Sequence, residues 1–98
     1  MKKAFIITFD TISDPKIALA FNEAITSNFI SKKATGNSII IVAGPEHDAK
    51  TVFDLLSSQL GKEVSFLVIN LDGFYGALND GVFDWYKTQF PQRIYYSD

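Results

Sequence analysis

Asp10 directly follows an apolar run, Ala4-Phe5-Ile6-Ile7-Thr8-Phe9, and precedes Thr11, Ser13 and Asp14. A carboxylate at a strand end coordinates Mg²⁺ through oxygen and leaves positions open for water and phosphate. One such carboxylate per subunit becomes two across a dimer axis. The plainer role is local, because aspartate favours turns and helix starts, and Thr11, Ser13 and Asp14 would share it. Asp72 ends a later apolar run. The two runs are expected to lie antiparallel, which sends Asp72 to the opposite end of the sheet and leaves Asp72-Gly73 as a turn. Glu46-His47-Asp48 places a histidine between two acids, and histidine serves general acid–base chemistry near neutral pH. Consecutive residues at a helix start point in different directions, however, and acids there complement the helix dipole. His47 therefore reads as a solvated residue.

The remaining catalytic signatures are missing from the sequence. There is no cysteine and only one histidine, which excludes thiol catalysis, disulfides, thiolate sites and a polyhistidine site within one chain. No G-x-S-x-G, G-x-G-x-x-G or Walker sequence occurs, and no cofactor-binding residue is assigned. The last quarter carries Phe74, Tyr75, Phe83, Trp85, Tyr86, Phe90, Tyr95 and Tyr96. Exposed aromatics stack RNA bases when cations accompany them. Here Lys87 and Arg93 stand against Asp72, Asp80, Asp84 and Asp98. The acidic balance disfavours nucleic acid and favours packing on the sheet or at an interface, for which Phe74, Tyr75, Trp85 and Tyr86 are the candidates. Lys32 and Lys33, with Lys2 and Lys3, would form a small phosphate-facing patch. Solubility and protection of a sheet edge explain them more simply.

The elements that position these residues follow from patterning. Residues 4–9 read as a buried strand. Ser13 or Asp14 caps a helix with Pro15 at its first position, and Ile17, Phe21, Ala24 and Ile25 form its stripe to residue 28. Residues 29–35 and 38–43 form a hairpin, its turn Gly36-Asn37 tolerating positive φ. A helix opens across residues 44–48, carries Val52, Phe53, Leu56 and Leu60, and stops at Gly61. A fourth strand covers 64–71. Asn79 or Asp80 caps a helix over about 81–89, which Pro91 ends. The tail beyond is either frayed or a further strand.

The order βαββαβ plus a helix predicts an α+β, ferredoxin-like antiparallel sheet in one domain of 98 residues. The core spans about 3–72, the aromatic loop and helix 73–90, and the tail 91–98. The chain is 47% hydrophobic with a formal charge of −2, enough apolar content to exclude a wholly disordered chain. The first, third and fourth strands are apolar on both faces. A sheet with one wet face should alternate, so the second face is covered by the C-terminal helix or by a second subunit. A homodimer is expected, with the C-terminal segment contributing. No apolar stretch is long enough for a signal peptide or a membrane span, which together with the absent cysteine favours the cytoplasm.

Phe9-Asp10 at the end of an apolar strand, a mid-chain hairpin, Phe66-Leu67-Val68-Ile69-Asn70-Leu71-Asp72-Gly73-Phe74-Tyr75-Gly76 and a helix bearing Phe83-Asp84-Trp85 occur in sequence. Over about residues 3–88 this pattern resembles the SinR-like group of small bacterial and phage proteins. That group belongs to the ferredoxin-fold superfamily that includes the smaller CRISPR spacer-acquisition protein. The resemblance implies a homodimer. In the CRISPR-associated relatives the aspartate ending strand one sits near the two-fold axis and holds a divalent metal between subunits for phosphodiester cleavage. Asp10 matches that position, while the SinR-like group itself has no settled activity. Two departures stand out. Ala77-Leu78 replaces a frequent Trp-Leu, and no arginine flanks Asp10, the single arginine being Arg93.

The resulting expectation is a homodimeric interaction or assembly module, set by the resemblance in bacterial or phage defence or toxin–antitoxin systems, with a protein partner. One alternative is a Mg²⁺-dependent nuclease with Asp10 as metal ligand and catalytic residue. The other is an RNA-binding module using the C-terminal aromatics.

Overall fold

The computed structural model describes residues 2–74 and 76–91. Its elements run β1 (Lys3–Phe9), α1 (Pro15–Asn28), β2 (Ile30–Thr35), β3 (Ser38–Ala43), α2 (Ala49–Leu60), β4 (Phe66–Asn70) and α3 (Val82–Gln89). The strands form one antiparallel sheet in the order β2-β3-β1-β4. This is the ferredoxin-like arrangement with an added C-terminal helix, and the two most apolar strands lie at its centre.

Pleating sorts the apolar residues onto two faces. Phe5 and Ile7 of β1 and Ile39 and Ile41 of β3 meet Phe21, Ile25, Val52 and Leu56 of α1 and α2. Ala4, Ile40 and Val42 face the other way, onto Val82, Tyr86 and Phe90. The C-terminal helix therefore does cover part of the second face.

Asp14 caps α1, its carboxylate accepting from the Lys16 N–H at 2.9 Å with Pro15 next in the chain, as the sequence predicts. The opening of α2 differs from expectation. Residues 44–48 precede the helix, which Asp48 and Thr51 start with a reciprocal capping box. The Thr51 N–H donates to Asp48 at 2.8 Å, and the Asp48 N–H donates to Thr51 Oγ1 at 2.8 Å. The hydrogen bond from the Thr51 backbone holds the Asp48 carboxyl below the usual carboxylate range. Gly61 ends the helix with a φ of 70°.

Three further local expectations need correction. Neither Gly36 nor Asn37 takes positive φ. The register shift between Lys33 and Thr35 lets the hairpin close with ordinary backbone angles. α3 is not capped by Asn79 or Asp80, because Gly81 occupies that position at φ 83° with no side-chain cap bond. Asn79 is engaged elsewhere, its N–H donating to Ala34 O at 2.9 Å and its amide to Lys33 O at 3.4 Å. Phe29, expected in β2, closes α1 instead. Val64 and Leu71, expected in β4, are buried just beyond its ends.

Candidate functional site

α3 is short and packs over β2, so on the second face it reaches Ala4 and Leu71 but leaves the other end of β1 and β4 open. Side-chain parity places Ile6, Thr8 and Asp10 on this face, beside Leu67 and Ile69 of β4. Ile6 and Thr8 are half-buried, whereas Leu67 is 63% and Ile69 45% exposed. At the end of β1 the surface dips into an open groove of about 540 Å³, lined by Ile6, Thr8, Asp10, Thr35, Ser38 and Leu67 among others.

Asp10 is exposed at the rim of that groove. Its backbone N–H donates to Ser65 O at 3.2 Å. Its carboxylate has no hydrogen-bond or ion-pair partner among the described residues, and the capping work falls to Asp14. Asp10 is thus in position to meet a ligand or a second copy. Asp72 does not join it. Leu71 bonds to Ala4 at the far end of the β1–β4 ladder, which sets the two carboxylates about 24 Å apart at ~3.4 Å per residue. Among the described residues no three His, Cys, Asp or Glu side chains converge. One chain therefore brings a single carboxylate to this place, and Mg²⁺ would need a second copy, water or phosphate to complete its shell.

The other candidates are dispersed. His47 is not freely solvated. Its side chain is 24% exposed, lies 3.6 Å from Glu46, and meets the Phe29 ring edge-on at 5.6 Å. It holds the approach to α2, where its carbonyl accepts from Lys3 Nζ at 2.9 Å. Lys32 and Lys33 are neighbours on a strand and so leave opposite faces of the sheet. Lys3 lies at the other end of the ladder, so the four lysines form no single patch. Tyr86 is buried, and its ring contacts Phe74 at 5.0 Å and Phe90 at 4.9 Å. Phe74 also stacks on Phe83 at 5.2 Å, and Trp85 is half-buried against the same cluster. Of the four interface candidates, Phe74, Trp85 and Tyr86 therefore fill the space between α3 and the sheet. Tyr75 and the tail from residue 92 lie outside the described residues.

Leu67 and Ile69 were not singled out by sequence. Their strand is apolar on both faces, and periodicity does not tell which of the two stays bare. Comparison with protein-family models, with curated proteins and with solved structures returns no match. No helix among the described residues is long and apolar enough to cross a membrane.

Proposed function

We propose that this chain is a small homodimeric interaction module whose contact surface includes β4, the strand that borders the bare part of the second sheet face. The observation that supports it is the unfinished cover. α3 buries Ile40 and Val42 yet stops short of Leu67 and Ile69, leaving adjoining aliphatic side chains in water. Contiguous bare apolar surface on a small domain marks a contact site. The defence or toxin–antitoxin setting follows only from the SinR-like resemblance. Light scattering on the full chain at high micromolar concentration tests the reading. The expected mass is twice the 10.9 kDa of one chain, and a monomer mass would overturn it.

The unpartnered carboxylate of Asp10 on that same face supports a second reading, a metal-dependent nuclease in which two copies share Mg²⁺. Here RNA and DNA would be cut in the presence of Mg²⁺ or Mn²⁺, and Asp10→Asn would abolish the cutting. Absent cleavage, or cleavage untouched by the substitution, removes this reading.

A further inference from the structure

We propose that two copies associate edge to edge, pairing their β4 strands antiparallel about a two-fold axis at Val68. This rests on the homodimer reading and specifies its contact.

The free edge can be assigned residue by residue. The Leu71 N–H donates to Ala4 O at 3.0 Å, and Ser65 O accepts from the Asp10 N–H at 3.2 Å. Residues 65, 67, 69 and 71 therefore turn their backbone groups toward β1. By alternation Phe66, Val68 and Asn70 turn theirs outward. β4 is the edge of the sheet, and no described residue bonds to those outward groups.

One register satisfies all of them. Val68 faces Val68 of the second copy, and Phe66 faces its Asn70. Each facing pair exchanges two hydrogen bonds, as outward-pointing residues of an antiparallel ladder do. Shifting by two residues strands an outward residue at each end, and shifting by one inverts the faces. The central register also sets Leu67 against Ile69 of the second copy on the open face. The two bare strips then join into one. On the opposite face Phe53, 41% exposed and 5.0 Å from Phe66, borders the same edge. Phe53, Leu67 and Ile69 are three of the five large exposed hydrophobics among the described residues. Their convergence on one edge indicates an occupant there.

Charge favours a second copy as that occupant. Residues 64–71 carry no ionisable side chain, so like strands meet without repulsion. The other sheet edge is finished in the opposite way. β2 carries Lys32 and Lys33, and Asn79 caps the carbonyls of Ala34 and Lys33. Edge pairing also has a consequence for Asp10. The two-fold axis would send the two Asp10 carboxylates to opposite ends of the joined strands, more than ~20 Å apart. A metal shared between them and this dimer exclude one another.

The test uses the full chain: light scattering over a concentration series, for wild type, Val68→Pro and Thr8→Lys. The Val68 N–H points outward, so proline there removes none of the bonds to β1. Thr8 lies on the open face of a central strand, away from the edge. Expected are a wild-type dimer, a dimeric Thr8→Lys, and a Val68→Pro chain with unchanged circular dichroism. Losing two central bonds should weaken its association about 30-fold. Backbone hydrogen exchange on the wild type gives an independent reading should the proline variant fail to fold. The amides of Phe66, Val68 and Asn70 should slow as concentration rises. A dimeric Val68→Pro with a monomeric Thr8→Lys would overturn edge pairing while sparing the homodimer. Amides that ignore concentration while the wild type dimerises would do the same. A monomeric wild type would overturn both.

Discussion

The two faces of this sheet begin from the same strands and end differently. The face under α1 and α2 receives two helices of 14 and 12 residues, each placed between strands by the chain's own path. Among the described residues the opposite face receives one helix of 8 residues, added after β4. The first becomes a closed core, with Phe21, Ile25, Val52 and Leu56 almost without exposed surface. The second is closed over β2, β3 and the start of β1, and open at Leu67 and Ile69 of β4. Apolar content alone therefore does not decide burial. The reach of the covering element does.

Truncations on the two faces test this contrast. Phe21 meets the Phe9 ring at 4.9 Å and the Phe66 ring at 5.8 Å, so Phe21→Ala opens a cavity at the centre of the closed core. A loss of about 3–5 kcal/mol is expected in denaturant unfolding. Val82→Ala, under α3, removes two methyl groups from a smaller cluster and should cost about 1–2 kcal/mol. Equal losses would show that the two faces are equally consolidated.

The smallest effect concerns the helix starts. Asp48 caps α2 with its pKa depressed by the Thr51 backbone hydrogen bond, whereas α3 has no side-chain cap. A depressed carboxylate pKa contributes stability that is complete above the unfolded value, ~3.9. That contribution is lost as pH falls through the lower folded value. Acid titration of Asp48→Asn should therefore show less loss of stability below pH ~4 than the wild type. An identical acid limb in the two proteins would remove the cap from the account.

Much of the fold was legible because local chemistry and tertiary placement agree. Asp14-Pro15 and the stripe from Ile17 to Ile25 define α1, and the uninterrupted apolar β3 had to be central. Failures occur where a distant contact takes over a local residue. Asn79 looked like a cap and is instead held by β2, so Gly81 takes the cap position with a backbone only glycine adopts readily. Asn37 looked like a positive-φ turn residue and is instead bound to the end of β1. The position of Asp10 at a strand end, and its distance from Asp72, followed from sequence order. Its freedom did not, because that depends on Asp14 taking the cap. The bare strip at Leu67 and Ile69 depends on where α3 stops, and no residue within β4 encodes that.

The hold of Asn37 on β1 bears on how the chain finds its alignment. The Phe9 N–H donates to Asn37 O at 2.9 Å, and the Asn37 amide donates back to Phe9 O at 3.0 Å across 28 residues of sequence. Among the described residues β2 and β3 are the one strand pair adjacent in sequence. β1 must find β3 and β4 from beyond intervening helices, and such closures carry an entropy cost before contacts repay it. When β1 arrives, the hairpin turn presents it with an end stop. A slip of one residue would exchange Phe5 and Ile7 for Ala4 and Ile6 in the closed core. The turn that joins β2 to β3 thus also serves as a ruler for a strand made long before it.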